Sequence, residues 1–209
     1  ITHHNLSLLI TGGHTQIYLF DNKKNITLLS ESVDDAVGET FDKIAKLLKL
    51  DYPGGPEVEK KAKDGNPSYE LPTPLLKDKS LNMSFSGIKT AVNLLVNKNK
   101  LNNKFVSDVC ASFQFCISKI LIGRLSKCMK ELKNKSIIIS SISVVGGVSN
   151  NNYIKNKLYD FINKENIEIY FPIKEMMSDN AAMIAWMCLV AKNKKGDLFF
   201  KPNPRLRIL

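Results

Sequence analysis

Three glycine pairs are the features of this 209-residue sequence best suited to hold an anion or a nucleotide. They are Gly12-Gly13, Gly54-Gly55 and Gly146-Gly147. Glycine has no Cβ, so backbone N–H groups at such turns can approach phosphate oxygens closely. Ordinary turns use the same residues, and the surroundings of each pair must decide between the two interpretations.

The first pair lies in the stretch T-G-G-H-T, between β-type runs at 6–10 and 16–20. Thr11 and Thr15 would add hydroxyl donors beside the glycine amides, which favours an anion-binding turn. A glycine pair between two such runs is equally typical of a β-hairpin. His14 on its own fits a packed or surface residue as well as a catalytic one.

The third pair begins the stretch G-G-V-S-N-N, which follows a β-branched run at 137–145 and precedes a helical pattern near 152–163. α/β folds bind anions and nucleotide sugars at junctions of this type. A short loop that needs glycine for close packing fits the same residues. The run at 137–145 itself predicts a buried strand.

Two carboxylates and the second glycine pair add further candidates. Asp42, in G-E-T-F-D-K, could accept hydrogen bonds from ribose hydroxyls, and Gly55, in Y-P-G-G-P, could let a nucleotide lie flat against the backbone. An exposed helical acid and a helix-breaking turn explain the same two positions. Asp179, at the start of the last helical pattern, fits either a helix cap or a metal ligand.

The elements that position these residues follow from the periodicity of apolar side chains. Strands are also predicted near 26–29 and 167–171, and residues 64–82 predict a surface excursion rich in Pro, Lys and Asp. Helices are predicted at 34–50, 57–63, 87–97, 104–133, 152–163 and 180–193. This mixture of elements predicts an α/β fold.

The charge and the cysteine content of the sequence limit which partners and which cellular compartment fit this protein. The net charge of +10 suits a polyanionic partner such as RNA, but the lysines accompany many asparagines, so compositional bias explains the charge as well. The cysteines form no C-x-x-C pair, which argues against a zinc site and favours buried thiols in a reducing compartment. No signal-peptide pattern and no apolar run of membrane-spanning length is visible. We therefore expect a soluble, cytoplasmic protein without membrane contact.

Six segments of the sequence, read in chain order, resemble consecutive motifs of one family. They are T-G-G-H-T-Q, D-D-A-V-G-E-T-F-D-K, Y-P-G-G-P, N-M-S-F-S-G-I-K-T-A-V, G-G-V-S-N-N and S-D-N-A-A-M-I-A-W. From about residue 6 to 186 the chain is similar to the tRNA threonylcarbamoyladenosine synthase family, TsaD, whose older name is Gcp. Each motif alone is weakly diagnostic, whereas six in the same order are highly specific.

The resemblance implies an actin/Hsp70/sugar-kinase-like (ASKHA) fold, in which two RNase-H-like domains hold a nucleotide between them. This chain would be the second half of that two-domain fold, with a helical insertion at about 34–133. Residues 1–5 would be a remnant of the first domain, 6–200 the nucleotide- and substrate-binding domain, and 201–209 a basic tail.

The resemblance also implies an activity. The family transfers the threonylcarbamoyl group from threonylcarbamoyl-AMP to N6 of the adenosine next to the anticodon, in tRNAs that read ANN codons. The implied partners are tRNA and proteins of the TsaB and TsaE types. The implied cofactor is one divalent metal ion, iron or zinc, per subunit.

By motif, the resemblance assigns nine substrate-binding positions and one metal ligand. The substrate-binding positions are Leu9, Ile10, Thr11, Gly12, Gly13, Asp42, Gly55, Glu59 and Asn151. The metal ligand is Asp179. We expect the three glycine-lined turns to converge around one AMP-like group.

The metal ligands are where the sequence departs from the family pattern. The H-x-x-x-H motif that supplies the other ligands belongs to the first domain, and the adjacent His3 and His4 do not reproduce its spacing. A catalytic metal normally has about three protein ligands, so the site would form only if the histidines are supplied from elsewhere. No general base is evident. Two functions stay open: an acyltransferase completed by a first domain, or a non-catalytic remnant that binds at most a nucleotide or a partner.

Overall fold

The computed structural model of the chain describes residues 4–21, 25–177 and 179–190. Within these residues the strands are β1 (His4–Ile10), β2 (Thr15–Phe20), β3 (Ile26–Glu31), β4 (Ile139–Val145) and β5 (Glu168–Tyr170). The helices are α1 (Val37–Leu47), α2 (Gly54–Ala62), α3 (Ser86–Lys98), α4 (Asn103–Asn134), α5 (Asn152–Asn163) and α6 (Ala181–Val190). The predicted basic tail at 201–209 lies outside the described residues.

The described strands form one mixed sheet in the order β3-β2-β1-β4-β5. β1 pairs antiparallel with β2, and β2 with β3, whereas β1–β4 and β4–β5 are parallel pairs. Parallel neighbours need crossover connections. Helices α1 to α4 make the connection from β3 to β4, and α5 makes that from β4 to β5. The predicted α/β class is confirmed.

One face of the sheet packs against the helices and forms the core. Alternate residues of the central strands are fully buried there, as the two-residue period of a strand requires. They are Leu6, Leu8, Ile10, Ile17, Ile142 and Val144. Above them, the rings of Phe41 in α1 and Phe113 in α4 meet edge to face, with centroids 4.8 Å apart. The core therefore lies between the sheet and helices α1 and α4.

Strand β4 is only half buried, so the prediction of a buried strand at 137–145 is wrong for its second face. Ile138 precedes the strand and is 70% exposed. On that face Ser143 donates to Asn5 Oδ1 at 2.9 Å, and the Asn5 amide donates to Ser141 Oγ at 3.0 Å. Ser141 and Ser143 are two positions apart and therefore share that face, which is typical of a strand with one polar face.

Helix α4 passes the length and composition test for a membrane span, contrary to the expectation that no segment would. However, 83% of its most apolar window is buried inside the fold. The side chain of Asn102 caps its first turn by accepting from Phe105 N at 2.9 Å. α4 is therefore the core helix of the domain.

Two loop predictions also need correction. Y-P-G-G-P separates α1 from α2 as predicted, but α2 begins at Gly54 and not near 57, because proline is tolerated before and within the first turn, where no N–H donation is needed. The segment 64–82 is not simply a surface excursion. Its backbone crosses α4, where Asn66 N donates to Asp108 Oδ1 at 2.7 Å and Tyr69 N to Ser112 Oγ at 3.0 Å.

Candidate functional site

The three glycine-lined turns meet in one cleft of about 200 Å³. It lies between the β1–β2 turn, the first turns of α1 and α2, and the loop that joins β4 to α5. The lining residues are Gly12, Gly38, Phe41, Asp42, Pro53, Gly55, Pro56, Glu59, Gly147, Val148, Asn150 and Asn151. Five of the predicted substrate-binding positions, namely Gly12, Asp42, Gly55, Glu59 and Asn151, are therefore side by side.

The β1–β2 turn is organised by its own threonine. Thr11 Oγ1 accepts from the amides of Gly13 at 3.2 Å and His14 at 2.9 Å, and Thr11 N donates to His14 O at 2.8 Å. The Thr11 hydroxyl, expected to face a ligand, instead shapes the turn. Gly12 N–H has no hydrogen-bond partner among the described residues, and a Cβ on Gly12 would meet no atom within 4 Å. Gly12 thus presents a free amide beside open space.

Thr15 is not available to a ligand, contrary to the sequence-based interpretation. Its side chain is buried, and its Oγ1 accepts from Val37 N at 2.8 Å, which satisfies one of the unpaired amides at the start of α1. The next amide, Gly38 N, donates to Thr11 O at 3.1 Å. A Cβ on Gly38 would lie 2.7 Å from that oxygen, so only glycine allows α1 to approach the turn so closely.

Leu9 and Ile10 do not line the cleft. Ile10 is fully buried in the core, and Leu9 pairs with Gln16 and Val145 within the sheet. Their predicted role as substrate-binding positions can concern only the backbone that leads into the turn.

Helix α2 directs a single amide towards the cleft. The first four N–H groups of a helix lack partners within it, but Pro53 and Pro56 have no N–H. Gly54 N donates to Asp42 Oδ1 at 2.8 Å, which leaves Gly55 N–H. A Cβ on Gly55 would meet no atom within 4 Å, whereas one on Gly54 would lie 2.6 Å from Ala45 Cβ. The two adjacent glycines therefore serve different purposes, close packing at 54 and an open wall at 55.

The two residues of the third glycine pair also have different roles. Gly146 has a φ of 98°, and a Cβ there would lie 2.5 Å from Ile10 O, so glycine is required for both conformation and packing. A Cβ on Gly147 would meet no atom within 4 Å. The close-packing interpretation of this junction therefore applies to Gly146, whereas Gly147 borders open space.

Glu59 and Asn151 connect α2, α4 and α5 at the floor of the cleft. Glu59 Oε1 accepts from both the backbone and the side-chain amide of Asn152, each at 2.9 Å. Asn151 Oδ1 caps α5 by accepting from Ile154 N at 3.0 Å, and Asn151 Nδ2 donates to Gln114 Oε1 at 2.6 Å. Gln114 was missed from sequence, because it lies inside the apolar pattern of α4.

The electrostatics of the cleft suit a nucleoside better than a bare phosphate. Among the described residues that line it, Asp42 and Glu59 are the charged ones, and neither Lys nor Arg contributes. Phe41, Pro53 and Val148 provide apolar walls. Carboxylates accept hydrogen bonds from hydroxyl groups, whereas phosphate oxygens would depend on the free glycine amides.

Comparison with known proteins gives the same family as the motifs. The sequence profile of TsaD, described as tRNA N6-adenosine threonylcarbamoyltransferase, matches residues 1–186. The chain belongs to this family. Relatives named tRNA N6-adenosine threonylcarbamoyltransferase include one from Wolbachia pipientis wMel, 43% identical over 203 residues, and one from Thermosipho africanus, 40% identical over 204 residues. Each alignment covers 96% of this chain, which spans 60% of the length of these relatives.

Among solved structures, the crystal structure of HypF from T. kodakarensis aligns with this TsaD-family chain at a TM-score of 0.55. The alignment covers 79% of this chain and 21% of HypF, at 14% sequence identity. At that identity the likeness concerns the fold alone.

A second pair of TsaD motifs is joined by Asp34, in D-D-A-V-G-E-T-F-D-K. Its carboxylate accepts from Phe85 N at 2.8 Å and from the hydroxyls of Ser84 at 2.5 Å and Ser86 at 2.8 Å. Asp34 thereby caps α3, whose own cap position makes no side-chain hydrogen bond. Burial opposes the charged form of Asp34, but these hydrogen bonds outweigh it and lower the pKa of the carboxyl group. This contact spans about fifty residues of sequence, and nothing local predicts it.

The predicted metal ligand of the TsaD motif set, Asp179, is exposed. The residue that caps α6 is Asn180, whose Oδ1 accepts from Met183 N at 3.1 Å, so the capping interpretation belongs to its neighbour. Within the part of the chain that the structure describes, no group of three or more His, Cys, Asp and Glu side chains could hold a metal ion. His3 lies outside that part.

Proposed function

We propose that this chain forms the adenylate-holding half of an enzyme that transfers a threonylcarbamoyl group to tRNA. The observation that carries the proposal is the meeting of Gly12, Gly55 and Gly147 with Asp42 and Glu59 in one cleft. Membership of the TsaD family supports the acyl-transfer reaction. The cleft supports the binding of the AMP moiety of threonylcarbamoyl-AMP.

The sheet supports the further proposal that the fold is an RNase-H-like domain of the ASKHA type. Its strands follow the order β3-β2-β1-β4-β5, in which three are mutually antiparallel and β4 and β5 add in parallel. In that fold a ligand lies beyond the ends of the central strands, where the turns after β1 and β4 are found here.

Different residues of the cleft would contact the ribose, the base and the phosphate of the adenylate. Asp42 Oδ2 and Glu59 Oε2, for which the described part of the chain provides no donor, would accept from the ribose hydroxyls. Pro53 and Pro56 would contact the base. The free amides of Gly12, Gly55 and Gly147 would donate to phosphate or acyl oxygens.

The reaction itself is an acyl transfer. The N6 amine of the target adenosine attacks the carbamoyl carbonyl carbon, the bond from that carbon to the phosphate oxygen breaks, and AMP leaves with the electron pair while the amine loses a proton. The part of this chain is to hold and orient the adenylate, which lowers the entropic barrier to attack. The net charge of +10 supports contact with the phosphates of tRNA. Proteins of the TsaB and TsaE types, and a cytoplasmic location, belong to the same proposal.

The implied iron or zinc ion does not fit the described residues as a complete site. Asp179 stands exposed, and no cluster of three ligating side chains accompanies it within the residues that the structure describes. Asp179 remains a proposed single ligand of a site completed by other groups. We assign no step of the reaction to the metal.

A second candidate function is a nucleotide-binding module without catalysis. Helix α6 favours it, because its large apolar side chains are exposed. They are Met183, Ile184, Trp186, Met187, Leu189 and Val190. An apolar surface of this kind marks a site for a partner.

One assay separates the two functions. Unmodified tRNA and threonylcarbamoyl-AMP are incubated with this chain and with proteins of the TsaB and TsaE types, with and without the separately expressed N-terminal part of a full-length relative. AMP binding is measured by calorimetry. Modified adenosine in the combined reaction supports the transferase. AMP binding without modification in either reaction favours the binding module. If AMP does not bind, the nucleotide assignment of the cleft is wrong.

A further inference from the structure

Gln114 is a buried polar residue with an exceptional position in the core helix α4. It is 3% exposed, and its neighbours Phe113 and Ile117 are fully buried. Burying an amide without a hydrogen-bond partner is unfavourable by a few kcal/mol, so a glutamine at such a place must serve a specific contact. That contact is with Asn151 at the floor of the cleft.

The Asn151 side chain is held at both ends. Its Nδ2 donates to Gln114 Oε1 at 2.6 Å, and its Oδ1 accepts from Ile154 N at 3.0 Å. Asn151 is 6% exposed and lines the cleft. An asparagine amide group carries two hydrogens, of which Gln114 takes one. Because both ends are fixed, the second hydrogen has one defined direction.

We propose that Gln114 is a positioning residue, which fixes the Asn151 amide so that its second N–H donates to the adenylate. This inference rests on the proposed function, because it needs the cleft to hold a nucleotide. The Oε1 acceptor of Gln114 is its essential group. A residue that only filled space in α4 would not need that acceptor, and this difference is what an experiment can test.

The test is AMP titration by calorimetry on the full chain. Gln114→Met keeps the volume and removes the acceptor, whereas Gln114→Glu keeps an acceptor. Asn151→Ser retains a side-chain oxygen to cap α5 but loses the amide donor. We expect Gln114→Met and Asn151→Ser each to weaken AMP binding about tenfold, which corresponds to one positioned hydrogen bond. Gln114→Glu should retain most of the native affinity for AMP.

The double variant Gln114→Met/Asn151→Ser gives the decisive comparison. If Gln114 acts through Asn151, the double variant binds AMP no more weakly than Asn151→Ser alone. If the two losses add, Gln114 acts independently and the proposal is overturned. The matched control is Ser112→Ala, in the same helix, which removes the Oγ that accepts a hydrogen bond from Tyr69 N. It should lower stability without changing AMP affinity.

A second measurement separates this inference from the proposed function. The side-chain amide resonance of Asn151 is identified by its loss in Asn151→Ser, and its exchange with solvent is measured without nucleotide. Slow exchange in the native chain that becomes fast in Gln114→Met supports positioning, even if AMP does not bind and the proposed function fails. Unchanged exchange in Gln114→Met overturns it, whatever AMP does.

Discussion

The carboxylate of Asp42 accepts a hydrogen bond from Gly54 N at 2.8 Å and so fixes the first turn of α2 against α1. Asp42 therefore has a structural role as well as the proposed ribose contact, and two substitutions separate them. Asp42→Ala should lower the free energy of unfolding by about 1–2 kcal/mol, because it leaves the Gly54 amide unpaired. Asp42→Asn keeps the Oδ1 acceptor and should change stability by less than about 0.5 kcal/mol.

Both Asp42 variants should weaken AMP binding, since each removes the charged oxygen proposed to accept from ribose. Urea unfolding and calorimetry measure the two effects separately. An Asp42→Asn chain that binds AMP as tightly as the native one would show that Asp42 acts only within the fold.

Gly54 and Gly55 predict opposite outcomes for the same substitution. Gly55→Ala adds a methyl group to open space in the cleft, so the fold should be unchanged or stabilised by up to about 1 kcal/mol from the helix propensity of alanine. AMP binding should weaken, because the methyl group occupies ligand space. Gly54→Ala would bring its Cβ 2.6 Å from Ala45 Cβ and should destabilise the fold.

Thermal unfolding and AMP titration of the two glycine variants test this directly. Normal AMP affinity in a stable Gly55→Ala chain would mean that the ligand does not lie against this wall of the cleft.

The sequence predicted the elements well where one face is apolar over several turns. The hydrophobic stripe of α4 and the β-type runs at 6–10 and 16–20 gave bounds within two residues of the structure, because burial acts locally on every turn of such a pattern. The order of the motifs also anticipated the meeting of the glycine turns. That prediction came from resemblance and not from local pattern.

What the sequence could not give are contacts between distant residues. The inward direction of the Thr15 hydroxyl depends on where α1 begins, and the bond from Asn151 to Gln114 joins residues 37 positions apart. From sequence alone, a glutamine within an apolar stripe is interpreted as exposed, because its hydrogen-bond partner is not known. Polar residues that support a site are therefore the class most easily missed from sequence.

Asp34 predicts a pH dependence of stability. Its folded-state pKa lies below the unfolded value, so its contribution is complete above the unfolded pKa of about 4 and is lost as the pH falls through the folded pKa. Asp34→Ala removes the cap of α3 and should cost about 1 kcal/mol at pH 7. The difference between native and variant chains should shrink below pH 4.

Urea unfolding at several pH values measures this difference. Asp34→Asn is the matched control, since it keeps an acceptor but has no titratable group, and its stability relative to Asp34→Ala should not vary with pH. A constant difference between the native chain and Asp34→Ala down to pH 2 would contradict the assignment.

The cysteines predict a selective labelling pattern that also reports on α6. Burial raises the pKa of Cys110, Cys116 and Cys128 to about 12, so these thiols carry almost no thiolate at pH 8, while Cys188 on α6 is exposed. Iodoacetamide should therefore modify Cys188 in the native chain and all four cysteines in urea, as measured by mass spectrometry.

Because Cys188 shares α6 with Trp186 and Met187, its protection on addition of the N-terminal part of a relative would indicate that this part covers the helix. Modification of Cys110, Cys116 or Cys128 as fast as Cys188 in the native chain would mean that the core around α4 is open to solvent.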